Sequence, residues 1–310
     1  MTGKRALITG VNGFSGRHLA RHLGQQGYTV AGLDLTSASD VTNLTMHVAD
    51  IRDSALLLKI MHAVRPTHIY HLAALVSPNA EFEALLDVNV RGTERLLEAV
   101  RLSGLDPLIL ITSSSGVYGL VGPGALPIRE SQPFRPASAY AVSKVAQEML
   151  AYSYHARYGM RVIRTRTFNM TGPGEPATLV CSALARQIAE AEARKTEAVL
   201  RVGNLTPQRD FVDVRDTVRA YRLALERGQP GEVYNVCSGQ SISIEACLEE
   251  LQSLAEKGIR VEQDPTRMRP SDLPMSLGDC GLLQQQTGWR PAIPLRQSLA
   301  ELLEEWRRRM

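Results

Sequence analysis

Gly10-Val11-Asn12-Gly13-Phe14-Ser15-Gly16 decides the fold of this 310-residue chain. It follows the apolar run Arg5–Thr9, which reads as a strand, and opens Ser15–Gln26, whose apolar spacing reads as a helix. Glycines at such a junction allow a tight turn and let backbone N–H groups approach a pyrophosphate, which the helix N-terminus also attracts. The spacing is G-x-x-G-x-x-G, and a Gly-rich turn without a ligand is the plain alternative. Asp34 ends the next strand, Thr29–Leu33. A carboxylate there can accept hydrogen bonds from the adenosine ribose hydroxyls and would repel a 2′-phosphate. No Lys or Arg follows until Arg52, so NAD(H) is favoured, with NADP(H) still open. Asp34 could instead cap a turn with Thr36 and Ser37.

Outward from this unit the pattern repeats. Thr45–Val48 is a weaker strand, Asp53–Val64 a helix, Thr67–Leu72 a strand and Glu81–Ser103 a long helix. Leu108–Thr112 reads as strand, Ser138–Tyr158 as helix and Arg161–Thr167 as strand. Strands alternating with helices predict an α/β fold, a Rossmann-type doubly wound parallel sheet. Past Asn169 the elements shorten: helices near Val180–Lys195, Val214–Arg227, Ile244–Lys257 and Leu295–Arg308, strands near Val199–Val202 and Glu232–Val236. Residues 1–170 are expected to form a dinucleotide-binding domain. Residues 171–310 are expected to form mainly a smaller C-terminal α/β substrate lobe, with the chain weaving between the two and the ligand in the cleft.

Composition narrows the function. Lys plus Arg is 35 and Asp plus Glu 32, and three positives are the terminal Arg307, Arg308 and Arg309. A concentrated basic face is lacking, which argues against a nucleic-acid partner. No apolar run reaches membrane-span length, and the N-terminal apolar stretch is too short for a signal segment. Four scattered cysteines, Cys181, Cys237, Cys247 and Cys280, suggest neither a disulfide framework nor a zinc site. A soluble cytoplasmic protein is expected.

Tyr140-Ala141-Val142-Ser143-Lys144 lies in a predicted helix, so Tyr140 and Lys144 share one face. A phenol has a pKa near 10. An ammonium about 4 Å away at an effective dielectric near 20 would lower that by roughly three units before desolvation offsets it. Tyr140 would then serve general acid–base chemistry. Thr112-Ser113-Ser114-Ser115-Gly116 ends the fifth strand, where ligands bind in doubly wound sheets. A hydroxyl there can hold the oxygen whose proton Tyr140 exchanges, although three serines also make an ordinary polar turn.

With these landmarks the chain resembles the extended short-chain dehydrogenase/reductases that act on nucleotide sugars. The resemblance runs over nearly its whole length, through Gly10–Gly16, Asp50-Ile51, His71-Leu72-Ala73-Ala74, Asn89-Val90-Arg91-Gly92-Thr93, Ser114, Tyr140 and Lys144. It implies that Asn12, Phe14, Ser15 and Thr112 join the glycines in holding the dinucleotide. Asp50 and Ile51 would flank the adenine, Leu72, Ala73 and Ala74 would line the cofactor path, and Asn89 would support the site. Ser114 would be the catalytic hydroxyl, with Ser113 and Ser115 as local alternatives. Lys144 would also hold the nicotinamide ribose.

Thr167-Phe168-Asn169, Gly172-Pro173-Gly174, Arg209-Asp210-Phe211-Val212-Asp213 and Arg267-Met268-Arg269-Pro270-Ser271-Asp272 resemble the GDP-sugar branch of that family. This implies Ser115, Asn169, Arg209, Arg269 and Asp272 as substrate contacts, the arginines as forks for the diphosphate. Surface pairs Arg209–Asp210 and Arg269–Asp272 are the alternative. Family 4,6-dehydratases carry an acid just after the catalytic Ser/Thr and 3,5-epimerases a cysteine in that segment; here Ser115 and Gly116 follow Ser114. Hydride transfer alone remains, and the resemblance implies NAD(P)H-dependent reduction of the C4 ketone of a GDP-4-keto-6-deoxy-hexose, of the GDP-D-rhamnose-forming type. The alternative is an NAD-dependent nucleotide-sugar 4-epimerase, and more remotely a non-catalytic dinucleotide sensor. No metal is expected: His18 and His22 read as a helix surface pair, and Asp210, Asp213 and Asp216 as helix-capping acids. Leu85, Leu86, Val90, Leu96, Leu97 and Val100 form an apolar stripe that suits a family homodimer or an ordinary core.

Overall fold

In the computed structural model, which describes residues 3–77, 80–194, 198–256, 258–268 and 273–310, seven parallel strands form the central sheet. They are β1 (Arg5–Thr9), β2 (Thr29–Asp34), β3 (Leu44–Val48), β4 (His68–His71), β5 (Leu108–Ser114), β6 (Arg161–Thr167) and, much later in the chain, β10 (Val233–Val236). Their order is β10-β6-β5-β4-β1-β2-β3. The direction of winding reverses between β1 and β4, where Thr9 pairs with His71. A crevice therefore opens at the carboxyl ends of these two strands, the position where doubly wound sheets take ligands.

Side-chain alternation along β1 shows why both faces are covered. Ala6 and Ile8 enter one core with Leu19 and Leu23 of α1 (Phe14–Gln25) and with Val218 and Tyr221 of a late helix. Leu7 points the other way, toward Leu57 and Met61 of α2 (Ser54–Val64) and toward Leu96, Leu97 and Val100. All of these are at most 2% exposed. Fully burying such a side chain contributes roughly 1.5–3 kcal/mol, and a strand buried on both faces has no solvent side to spare for polar residues.

The expected helix Glu81–Ser103 is instead three linked pieces: α3 (Phe82–Leu85), a π turn over Leu86–Arg91 and α4 (Gly92–Ser103). The π turn inserts one extra residue and swings Asn89 inward, where it is fully buried. The apolar stripe on this stretch goes mainly into the chain's own core, with Leu85, Leu96, Leu97 and Val100 buried. Next comes α5 (Ala139–Tyr158), capped by the Ser138 hydroxyl accepting from Ala141 N at 3.2 Å and ended by Gly159 at φ 66°.

Later elements are β7 (Asn169–Thr171), α6 (Val180–Arg194), β8 (Ala198–Val202), β9 (Gln208–Asp213), α7 (Val214–Arg227), β11 (Ser241–Ser243), α8 (Ile244–Ser253), β12 (Ile259–Gln263), α9 (Gly281–Thr287) and α10 (Leu295–Arg309). A three-stranded sheet, β11-β9-β7, and a parallel pair, β12-β8, pack with α6, α8 and α10 around Leu184, Ile188, Leu200, Phe211, Leu248 and Leu302. Helix α7 returns to the first core beside α1, and β10 extends the large sheet beyond β6.

Candidate active site

The loop after β1 is shaped by what its glycines exclude. A Cβ on Gly10, at φ +69°, would lie 2.8 Å from the backbone of Ala73; one on Gly16 would lie 2.3 Å from Gly10 O. The chain from β4 thus crosses directly over the loop, and Gly13, as helix cap, brings no side-chain bond to the first N–H groups of α1. Asn12 Oδ1 is buried there without a partner. Bare helix N–H groups and a waiting acceptor beside a close backbone crossing suit a dinucleotide's diphosphate and ribose. Asp34 Oδ2 accepts from Asn12 N at 2.9 Å and Oδ1 from Leu35 N at 2.8 Å. Each oxygen keeps a further lone pair. Asp50 is occupied by Arg52, at 2.6 Å for the shortest contact, which holds its carboxyl below the usual range. Ile51 is buried against Gly92.

Thr112 ties β5 to β4 by donating to His71 O at 3.0 Å. Ser114, the last residue of β5, accepts from Gly116 N at 3.1 Å. Its hydroxyl faces Tyr140, in the first turn of α5, and draws the phenol pKa down, while burial as the larger effect pushes it up to about 12. Ser113 Oγ is buried without a partner, and Ser115 is half-buried at the start of a short 3₁₀ turn. Ser114 is therefore the hydroxyl of the three that this geometry brings to Tyr140. Asn89 links the segment after β4 to the same helix. Its amide exchanges bonds with Leu75 N (2.7 Å) and Leu75 O (3.0 Å) and donates to Ser143 Oγ at 2.9 Å. Ser143 in turn donates to Tyr140 O at 2.7 Å.

Lys144 differs from the expectation. It is 2% exposed, and Nζ donates to Gln147 Oε1 rather than turning to Tyr140. Burial lowers its pKa to about 7, opposed by the Glu148 carboxylate. The four-residue interval predicts the cation beside the phenol; in the fold desolvation governs both groups. An unfolded chain keeps this proton up to about pH 10.5, so between pH 7 and 10.5 the unfolded state binds more protons and stability rises with pH. Burying this ammonium costs on the order of several kcal/mol at neutral pH. Lys144→Met should therefore stabilise the fold at pH 7 by ~2 kcal/mol after loss of the Gln147 bond, the gain fading toward pH 10. Urea denaturation at several pH values measures it, and a destabilised variant at pH 7 contradicts this account.

The other expected residues lie further out. Asn169 is exposed at the start of β7, paired in register with Phe211. Arg209 donates through Nη1 to Gln208 O at 2.8 Å and Leu273 O at 2.6 Å. Asp210 turns inward instead, accepting from the backbone of Ser238, Gly239 and Gly278. Arg269 and Asp272 lie outside the described residues. His18 Nε2 pairs with Pro173 O at 2.7 Å and His22 Nε2 accepts from Arg222 at 3.0 Å. Asp213 caps α7, and Asp216 accepts from Ala292 N and Ile293 N. Among the described residues no group of three or more His, Cys, Asp or Glu could hold a metal ion, and no helix is long and apolar enough to cross a membrane. Sequence reasoning missed Gln147 and Thr93 as contributors; the three-residue interval from Lys144 to Gln147 on one helix was the available signal.

A glycine-lined crevice at the switch point, a strand-end serine and a Tyr-x-x-x-Lys helix define an extended short-chain dehydrogenase/reductase, a nicotinamide-dinucleotide enzyme. The family model for GDP-mannose 4,6 dehydratase matches residues 7–302, and the chain belongs to that family. GDP-6-deoxy-D-mannose reductase of Pseudomonas aeruginosa is 35% identical over 310 residues, spanning 99% of this chain and 98% of that protein. The structure of RMD from Pseudomonas aeruginosa complexed with NADPH superposes with a TM-score of 0.88 at 34% identity, covering 99% of this chain and 100% of that one. UDP-glucose 4-epimerase of Thermus thermophilus in complex with NAD follows the same fold, with a TM-score of 0.86, 29% identity and coverage of 98% and 99%.

Proposed function

We propose that this enzyme reduces the C4 ketone of a GDP-4-keto-6-deoxy-hexose, of the GDP-D-rhamnose-forming type, with Ser114, Tyr140 and Lys144 as its catalytic residues. The observation that carries this is the Ser114–Tyr140 contact with Ser115 and Gly116, not an acid, following the serine. A 4,6-dehydration needs a group to remove a proton and expel water, and this strand end offers only hydroxyls. The full-length likeness to a GDP-6-deoxy-D-mannose reductase supports the same reaction.

A bound nicotinamide dinucleotide supplies the hydride. Gly10, Asn12, Gly13, Phe14, Ser15 and Gly16 would hold its diphosphate side, Asp34 its adenosine ribose, and Asp50 and Ile51 the adenine. Leu72, Ala73, Ala74, Asn89 and Thr112 would line its path, with Tyr140 and Lys144 at the nicotinamide end. Ser114 then fixes the ketone oxygen, and Tyr140, protonated at neutral pH, donates the proton that completes the alcohol. Lys144 would hold the nicotinamide ribose. Ser115, Asn169, Arg209, Arg269 and Asp272 are assigned to the GDP-sugar. Residues 1–170 carry the dinucleotide, and residues 171–310 mainly the sugar nucleotide.

Asp34 favours NADH, because a 2′-phosphate would meet its carboxylate. The same residue also suits a 4-epimerase that retains NAD, and the Thermus epimerase–NAD structure supports that second reading. Crossing NADH and NADPH with GDP- and dTDP-4-keto-6-deoxy sugars, with NMR identification of products, separates the two. Consumption of NADH with the GDP-sugar is expected. Bound NAD that survives gel filtration, with interconversion of 4-epimers and no net oxidation, would replace the reductase by the epimerase.

We also infer a homodimer and a cytoplasmic location. Leu102 of α4 and Met149, Tyr152 and Tyr158 of α5 leave apolar surface exposed on these two helices. The four cysteines are all buried free thiols, as suits a reducing compartment.

A further inference from the structure

Behind Lys144 runs a chain of buried polar groups that the reaction as written does not use. Lys144 Nζ donates to Gln147 Oε1, and Gln147 Nε2 lies 2.7 Å from Thr93 Oγ1. Thr93 Oγ1 contacts His71 Nε2 at 2.8 Å and donates to Asn89 O at 2.6 Å. On the far side of the ring, His71 Nδ1 meets Thr9 Oγ1 at 2.7 Å, and Ala73 N donates to Thr9 Oγ1 at 3.2 Å. Thr9, His71, Thr93, Lys144 and Gln147 are all at most 2% exposed, so none of these groups has water as a substitute partner.

Proton counting fixes the direction of every bond. The single hydroxyl proton of Thr93 goes to Asn89 O, so its lone pairs must accept from Gln147 Nε2 and from His71 Nε2. His71 therefore carries its proton on Nε2, and Nδ1 accepts from Thr9. Burial, with Lys144 adding to it, holds this histidine neutral, its pKa lowered to about 3. Thr9, having given its proton to His71, accepts from Ala73 N. A flipped Gln147 amide would set two N–H donors against an ammonium and leave Thr93 facing an oxygen. The amide has one workable orientation, and it presents its oxygen to the lysine.

We propose that Gln147 is a positioning residue: oriented by Thr93 and His71, its side-chain oxygen holds the Lys144 ammonium in place and couples it to the strand end that bears the phosphate loop. This rests on the assignment of Tyr140 and Lys144 to the reaction. The charged and titratable groups facing Lys144 are His71 from β4, neutral as above, and Glu148 from its own helix. Glu148 is itself taken by Arg166 and Arg164 of β6. Gln147 is thus the acceptor the lysine uses directly, and its loss should disfavour the charged form.

The chain has five lysines, so the Lys144 side chain can be followed by NMR in lysine-labelled protein and identified by its disappearance in Lys144→Arg. Gln147→Leu should lower the Lys144 midpoint by about one pH unit, since a hydrogen bond to a charged group is lost. The alkaline limb of kcat/KM should move down with it. Gln147→Glu, which keeps an acceptor and adds a charge, should move the midpoint up and carries the test if the leucine variant does not fold. A midpoint unmoved in both variants, in protein where Tyr140→Phe still abolishes turnover, overturns the positioning role. Full turnover in Tyr140→Phe overturns the assignment beneath it, wherever the lysine titrates.

Discussion

Tyr140→Phe is expected to lower turnover by ~10²–10⁴-fold, the usual contribution of a positioned general acid, while dinucleotide binding is kept. The ring stays, so its packing in the first turn of α5 is unchanged; only the oxygen that faces Ser114 is lost. Burial pushes the phenol up to about 12, so near neutral pH it stands in its protonated form. That is the form a ketone reduction consumes: a hydride reaches carbon, and the developing alkoxide needs a proton within hydrogen-bond reach. Without it the proton must come from water that this half-buried site admits poorly. Steady-state rates with NADH and a GDP-4-keto-6-deoxy sugar, beside fluorescence titration of the cofactor, read the two effects apart. A rate equal to that of the parent enzyme removes Tyr140 from the mechanism.

The second large effect concerns stability. Glu148, in α5, is 0% exposed and faces two guanidinium groups from β6. Arg166 meets it through Nη2 at 2.6 Å and through Nε at 3.1 Å to both oxygens, and Arg164 lies 3.6 Å away. Arg166 continues to Tyr118 OH at 3.0 Å and Glu130 O at 2.8 Å, and its guanidinium carbon lies 5.0 Å from the centre of the Tyr118 ring and 4.6 Å from that of Phe134. Glu148→Leu would leave this charge pair buried and uncompensated. Loss of one partner from such a cluster costs about 3–5 kcal/mol, mostly because the remaining charge has no water. Guanidinium or urea melts measure it. Glu148→Gln should cost less, since it keeps an acceptor. Adding Arg166→Met to Glu148→Leu should recover part of the loss, because one orphaned cation goes with it. A near-neutral Glu148→Leu would mean that the two arginines find other partners.

The first half of the molecule was legible because its signals are local. Gly10–Gly16 between an apolar run and an amphipathic one, and the alternation that follows, determine a parallel sheet wherever β-strands and helices take turns. Strand β9, Gln208–Asp213, was not legible as a strand, since its polar first half lacks alternation and its pairing with β7 and β11 is entirely non-local. The π turn at Leu86–Arg91 was equally silent, because one extra residue leaves the helical period almost unchanged. In the site, the residue types at Ser114, Tyr140 and Lys144 could be read, but the direction of the Lys144 side chain could not. That direction depends on Gln147 and Thr93, and hence on how α4 and α5 pack.

Strand β10 carries a consequence for how the chain is made. Strand β6 has β5 on one side, and its other edge is filled only by Val233–Val236. While the ribosome is still adding the intervening residues, that rim offers free amide and carbonyl groups flanked by apolar side chains, a template for any stray strand. Nascent fragments cut short before residue 236 should therefore be prone to clump, because a late segment has to be stitched onto an early one.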